Sequence, residues 1–318
     1  MASSQGRHAK MKIVIDCDAG IDDAQAIMIA LSHEVDVLAI TCTFGNVDVD
    51  QVSKNVLKIL DVCVRTDIPV YKGAHQAMLG NTFEKPSYHG LDGLGDALDH
   101  KDPDMHLLKE THAAQALAQL VKENPGEIVI IALGPLTNIA LATHLDAEFT
   151  TKVKEIFLMG GCIHGKGNHW VSAEFNFGAD PEAAYVVLNQ FTNHPVSIVS
   201  WETCLEHELT WEFFDGYVGA GTKQAEFMKK ITSNIKEYEA KMNGPFITCD
   251  PYAVCAAIQP CIVLEETSVH ATMELKEGLT RGQMVIDWRG LLKKPANVRL
   301  ITKIDLDLFM EMMQHSVK

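Results

Sequence analysis

The chain has no Cys-x-x-Cys pair, no low-complexity linker, and no apolar run approaching the roughly 20 residues of a membrane span. Its eight cysteines, at positions 17, 42, 63, 162, 204, 249, 255 and 261, are scattered, with no close His/Cys spacing of the kind that would suggest zinc. Most lie in apolar segments, so free buried thiols in a reducing, cytoplasmic compartment are expected. Basic residues are scarce too: 27 Lys and Arg stand against 42 Asp and Glu, a net charge of −15. That balance disfavours a nucleic acid polymer or a membrane surface as partner but is compatible with a small neutral molecule. Met1–Lys10 is polar and lacks the apolar core of a secretory signal, and residues 1–11 are expected to form a flexible tail.

What is present is a chain of 318 residues, 47% of them hydrophobic, enough for one large α/β domain or two modest ones. Apolar runs at Ile13–Ile15, Val35–Thr41, Val70–Tyr71, Ile128–Leu133, Ile156–Met159 and Val196–Val199 read as short buried strands. Between them Asp23–Ser32, Val49–Cys63, Thr111–Glu123, Ile139–Asp146 and Pro181–Gln190 read as helices. This alternation predicts an α/β fold with an open, mostly parallel, Rossmann-like sheet covered by helices on both faces. Trp211–Gly244 reads as a helical insertion, and Met273–Ile304 holds further strand-like runs. With no linker to divide it, residues 12–318 are expected to form a single domain. In such sheets ligands sit beyond the carboxyl ends of the strands, so the polar segments that follow strands carry the search for a site.

The first such segment is Asp16-Cys17-Asp18-Ala19-Gly20-Ile21-Asp22-Asp23, four carboxylates directly behind an apolar strand. Like charges this close are unfavourable unless something positive sits among them, and a hard divalent cation held by oxygens is the usual answer. Gly20 is expected to turn the backbone so that Asp18, Asp22 and Asp23 point into one space. The alternative is a solvated turn with an Asp capping the helix Ala24–Leu31. Twelve-residue loop counting from Asp16 or Asp18 reaches Ile27 or Ile29, where an EF-hand needs glutamate. Further on, Met159-Gly160-Gly161, Gly167-Asn168 and Glu174-Phe175-Asn176 combine small residues, amides and a carboxylate, a set suited to gripping hydroxyl groups. Caps on turns are the competing explanation, and Asp180-Pro181 is expected to begin a helix. Thr248-Cys249-Asp250-Pro251 places one more Asp before the apolar helix Tyr252–Ile258, where an N-cap role would serve equally well.

Taken in order, these segments resemble the inosine–uridine-preferring nucleoside hydrolase family, from about Lys12 to about Met312. The signature Asp16–Asp23 is followed by Gly45-Asn46, His89-Gly90 with Gly93-Leu94-Gly95, Gly134-Pro135-Leu136-Thr137-Asn138, Met159-Gly160-Gly161, Gly167-Asn168, Glu174-Phe175-Asn176 and Asp250. Arg281-Gly282 with Val285-Ile286-Asp287-Trp288 looks like the family's C-terminal strand motif. The resemblance implies hydrolysis of ribonucleosides to ribose and free base. It also implies a Ca²⁺ held by Asp18, Asp23, Asp250 and the backbone carbonyl of Leu133. The ion would bind the ribose 2′ and 3′ hydroxyls and acidify a bound water, with Asp18 as general base. Asp22, Asn46, Asn168, Glu174 and Asn176, with Asp250, would bind substrate, and Met159 would pack on the sugar. A homodimer or homotetramer is implied as well.

One position departs from the common pattern. Many members carry His before the last calcium-binding Asp, where it protonates the departing base, and purine-specific relatives carry Trp; here it is Cys249. A thiol is a poor proton donor near neutral pH unless its pKa is tuned. His89 is the next candidate donor, against the alternative of an ordinary loop histidine. Tyr238, in the helical insertion, is a candidate to stack on or hydrogen-bond the base, whereas Trp201 is expected in the core. Two rivals follow: a catalytically weak nucleoside-binding protein, suggested by Cys249, and an aspartate-nucleophile phosphatase, suggested by Asp16-x-Asp18 after a strand.

Overall fold

Aliphatic residues fill the first strand, β1 (Met11–Cys17), and its Ile13, Val14 and Ile15 are fully buried on both faces. Such a strand requires cover on both sides, and the chain supplies it by alternating strands with helices. The computed structural model describes residues 10–80, 83, 85, 87–97 and 102–318. After β1 come α1 (Ile21–Ser32), β2 (Val35–Cys42), α2 (Val49–Val62), β3 (Val70–Lys72), β4 (Leu108–Lys109), α3 (Ala113–Glu123) and β5 (Ile128–Ala132). Next are α4 (Thr137–Leu145), α5 (Phe149–Lys152), β6 (Glu155–Met159), α6 (Phe175–Ala179), α7 (Pro181–Gln190), β7 (Val196–Val199) and α8 (Trp201–Glu206). The chain ends with α9 (Trp211–Val218), α10 (Lys223–Ile231), α11 (Ser233–Met242), α12 (Asp250–Ile258), β8 (Val263–Val269), β9 (Ala271–Met273), β10 (Met284–Ile286), β11 (Val298–Ile304) and α13 (Leu306–His315).

Nine strands make one sheet in the order β4-β3-β2-β1-β5-β6-β7-β11-β8. Every neighbour pair is parallel except β8, which runs antiparallel to β11. β9 and β10 pair separately. The order reverses at β1: the chain first winds outward to β4, then returns beside β1 as β5 and winds the other way. At such a switch point the connections leave in opposite directions and open a crevice at the carboxyl ends. The Leu133 N–H donates to the Asp16 carbonyl at 2.8 Å, so the ends of β1 and β5 are fixed side by side.

Alternation along β1 sorts its side chains into two cores. Ile13 and Ile15 join Val129, Ile131 and residues of α1, α2 and α12 on one face, while Val14 joins Ile128, Ile130 and residues of α3, α4 and α7 on the other. A slip of one residue would exchange these faces, and each fully buried aliphatic side chain is worth about 1.5–3 kcal/mol, so the register is firmly set.

The predicted α/β class and parallel sheet are observed, with differences at the margins. Of the tail expected over 1–11, residues 1–9 lie outside the described residues and Met11 already belongs to β1. α1 starts two residues early because Asp23 Oδ2 accepts the Gly20 N–H at 2.7 Å and caps it. β4, two residues long, is too short to leave a hydrophobic pattern. The insertion is three helices, α9 to α11. Among the described residues no helix is long and apolar enough to cross a membrane.

Candidate active site

A cavity of about 380 Å³ opens at the switch point, in the size range of small-molecule sites. Its floor is the loop after β1. The turn expected at Gly20 is made instead by Ala19, at φ +40°, whereas Gly20 lies at φ −81°. A left-handed Ala costs roughly 1–2 kcal/mol, and Asn55 Nδ2 holds it by donating to the Ala19 carbonyl at 3.1 Å. Gly20 is needed for space: a Cβ there would sit 2.8 Å from Asn46 Nδ2 and 2.9 Å from His89 Nδ1. Space also decides Gly45, where a Cβ would lie 2.0 Å from Asp18 Oδ2; its absence lets that oxygen accept the Asn46 N–H at 2.8 Å.

The four carboxylates of the loop divide into two groups. Asp16 points away from the cavity into a polar network, its Oδ1 accepting from Thr41 Oγ1 at 2.6 Å and Asn138 Nδ2 at 2.8 Å. Burial raises its pKa to about 7 against those two hydrogen bonds. Asp22 and Asp23 meet Asp250, from the first turn of α12, with one oxygen of each within 4.8 Å of the others. Asp250 makes no N-cap hydrogen bond, so the capping alternative for it is set aside. Asp18 adjoins this triad and is buried. Burial first, then the neighbouring charges of Asp23 for Asp18 and of Asp22 for Asp250, lift both carboxyls well above the usual range. Asp23 rises to about 7, chiefly by burial. Among the described residues its Oδ1 is buried without a hydrogen-bond partner, and none of those lining the cavity is a lysine or arginine. An all-oxygen, anionic set with an orphaned carboxylate oxygen fits a hard divalent cation. Asp18, Asp23, Asp250 and the Leu133 carbonyl are available to hold one.

Opposite the acids stands a wall of hydrogen-bonding groups. Glu174 caps α6: Oε1 accepts from the Asn176 N–H at 2.8 Å, and Oε2 from Gly161 at 2.8 Å and Phe177 at 3.1 Å. Burial still raises its carboxyl to about 7. Asn176 Nδ2 donates to the Leu133 and Met159 carbonyls, at 2.8 and 3.0 Å, tying together the ends of β5 and β6. Asn46, Met159 and Asn168 complete this side, and Ile21, Ile235, Phe246 and Ile247 form an apolar remainder with Tyr88 and Trp201. His89 Nδ1 accepts the Ile21 N–H at 3.1 Å, so its proton sits on Nε2, which lies 3.7 Å from Asp22 Oδ1. Burial lowers its pKa, with Asp22 opposing. The thiol of Cys249, hydrogen-bonded with Cys204 and buried, is pushed well above its ordinary value.

Residues 13–311 match the family model described as inosine-uridine preferring nucleoside hydrolase. The chain belongs to that family. It is 34% identical to the inosine-uridine preferring nucleoside hydrolase of Leishmania major, over 94% of each chain. It is 36% identical to the probable uridine nucleosidase 2 of Arabidopsis thaliana, over 86% of this chain and 84% of that one. Among solved structures it superposes on an inosine-guanosine nucleoside hydrolase with a TM-score of 0.90 and 35% identity, covering 96% and 98%. This nucleoside hydrolase is therefore an enzyme that cleaves the N-glycosidic bond of ribonucleosides, and the phosphatase reading falls away.

For this nucleoside hydrolase, Asp18, Asp22, Asn46, His89, Leu133, Met159, Asn168, Glu174, Asn176, Cys249 and Asp250 all line one cavity, with Asp23 beneath it against Asp250. Tyr238 does not line it: the ring is 58% exposed and borders a neighbouring hollow with Tyr88 and Asn234. Trp201, expected in the core, is half-buried at the cavity wall. Gln25, Tyr88, His169, Thr232 and Glu239 line the cavity without having been singled out. Gln25 was within reach, two residues past Asp23 on α1; the others depend on which face of a loop or helix packs inward.

Proposed function

We propose that this enzyme holds Ca²⁺ on Asp18, Asp23, Asp250 and the Leu133 carbonyl, and that Asp18 is the general base for water. A divalent cation held there would supply positive charge that acidifies the attacking water and gives the ribose diol a fixed anchor. Asp18 takes the water's proton: its Oδ2 is fixed by the Asn46 N–H, and Oδ1 is left for that task. Asp22, Asn46, Asn168, Glu174 and Asn176 grip the sugar hydroxyls, and Met159 packs on the ring. As the glycosidic bond breaks, positive charge develops on the ribose, which a wall of carboxylates stabilises. His89 orients Asp22, because its Nδ1 is spent on the Ile21 backbone and its lowered pKa leaves it neutral near pH 7.

The observation that carries this reading is a buried Asp18 on an acidic floor facing Glu174 and Asn176 across one cavity. Chromatographic detection of free base from ribonucleosides, compared with their 2′-deoxy counterparts, tests it. Ribonucleosides should turn over and deoxy forms far more slowly; equal turnover removes the diol anchor. The cysteine pattern supports a cytoplasmic setting, and the family resemblance supports a homo-oligomer.

A further inference from the structure

Helix α11 presents a stripe to the cavity. Thr232, at its N-cap, Ile235 and Glu239 all line the cavity wall, and their spacing of three and four residues puts them on one helical face. Tyr238, one residue before Glu239, is turned about 100° away and faces the neighbouring hollow. Glu239 thus lines the cavity together with Ile21, Ile235, Phe246 and Ile247, its Oε2 lying close to Gly244 just past the end of α11. This is also the side of Tyr88 and Cys249, since burial and then the charge of Glu239, with Cys249 next, raise the Tyr88 phenol. Lys236, the cation on the preceding turn, is paired with Asp215 instead. Thr232 Oγ1 is buried and makes no hydrogen bond among the described residues. Among the described residues, then, the helix lines the cavity with one carboxylate that has no ion-pair or hydrogen-bond partner and one unpaired hydroxyl, on opposite sides of Ile235.

We propose that Glu239 is a specificity-determining residue that reads the nucleobase edge, selecting bases that present adjacent N–H donors. This rests on the hydrolase reading above. A carboxylate only accepts, and its two oxygens match two parallel N–H groups. Guanine presents such a pair, N1–H and the 2-amino group, whereas hypoxanthine presents N1–H alone. Adenine and cytosine set a ring-nitrogen lone pair beside their amino group, which faces the second oxygen. Uracil flanks N3–H with two carbonyls, and both are repelled. The preference order is guanosine, then inosine, then adenosine, cytidine and uridine.

The test measures kcat and KM on those five nucleosides for the wild type, Glu239→Gln and Glu237→Gln. It adds equilibrium binding of free guanine and hypoxanthine, followed by tryptophan fluorescence. Glu237 is exposed on the same helix and controls for loss of charge. Glu239→Gln should cut the guanosine-to-inosine ratio of kcat/KM about tenfold or more, mainly through KM, and weaken guanine binding in parallel. Glu237→Gln should leave both unchanged. Ratios within twofold of wild type in Glu239→Gln, or an equal effect of Glu237→Gln, overturn the assignment. Absence of base release from every nucleoside by the wild type would overturn the hydrolase reading itself, and this assignment with it.

Discussion

His89 Nδ1 accepts the backbone N–H of Ile21 at 3.1 Å, which leaves Nε2 carrying the proton and directed at Asp22. The histidine that sequence reasoning offers as a proton donor to the base is thus committed on one side to the start of α1. Its remaining proton lies on the Asp22 side, with Nε2 3.7 Å from Oδ1, outside hydrogen-bond reach. His89→Ala should leave the Ile21 N–H unpaired, at a cost of about 1–3 kcal/mol, and loosen Asp22. The expected result is a KM raised about tenfold, with a pH profile of kcat unchanged in shape. Loss of one limb of that profile would show that His89 is the acid.

Asp18→Asn removes the proposed base without altering the shape of the floor. Loss of a general base lowers kcat by about a hundredfold to ten-thousandfold. The same change relieves repulsion among buried carboxylates, so in chelator the thermal midpoint should hold or rise. Activity kept at wild-type level would reject the assignment.

The acid floor sets the pH dependence of the cation. Asp23 rises to about 7 and Asp18 and Asp250 are raised as well, so in the absence of metal the folded state binds more protons than the unfolded chain. The stability these carboxyls contribute to the metal-free protein is then fully present below the ordinary carboxyl range and is lost as pH rises from about 4 through about 7, where Asp23 ionises. A cation competes for the same oxygens, so its affinity should increase with pH and its binding should release protons. Calorimetric titration with calcium in buffers of different ionisation enthalpy measures that release. A heat independent of the buffer, with affinity equal at pH 5.5 and 8, would contradict it.

Cys249 stands beside Asp250 with a thiol held neutral by Cys204 and by burial. A thiol with so raised a pKa is too weak an acid to give much help to a departing base, so Cys249→Ala should change kcat by no more than about threefold, against the hundredfold or more typical of a working general acid. Cys249→His introduces an imidazole, and for bases that leave poorly kcat should rise and then fall as pH increases through the imidazole pKa, a basic limb that the wild type lacks. A large loss in Cys249→Ala would make the thiol a participant.

The sequence by itself determined the class and the chemistry. Buried strands must alternate with covering helices, and a run of carboxylates behind Ile13–Ile15 favours a cation wherever the loop brings them together. Those are local or compositional facts, and Asp18, Asn46, Glu174, Asn176 and Asp250 were legible because their chemistry is unusual for their setting. Tertiary structure decided which of these groups share a space. Asp16 left the acid cluster for Thr41 and Asn138 because it still lies within β1, on the Val14 face against α4, whereas Asp18 is past the strand end in the loop that turns at Ala19. The turn passed from Gly20 to Ala19 because Asn46 and His89, distant in the chain, leave no room for a Cβ at 20. Glu239 rather than Tyr238 faces the cavity because the phase of a surface helix is set by what it packs against, and residue order alone does not encode that phase.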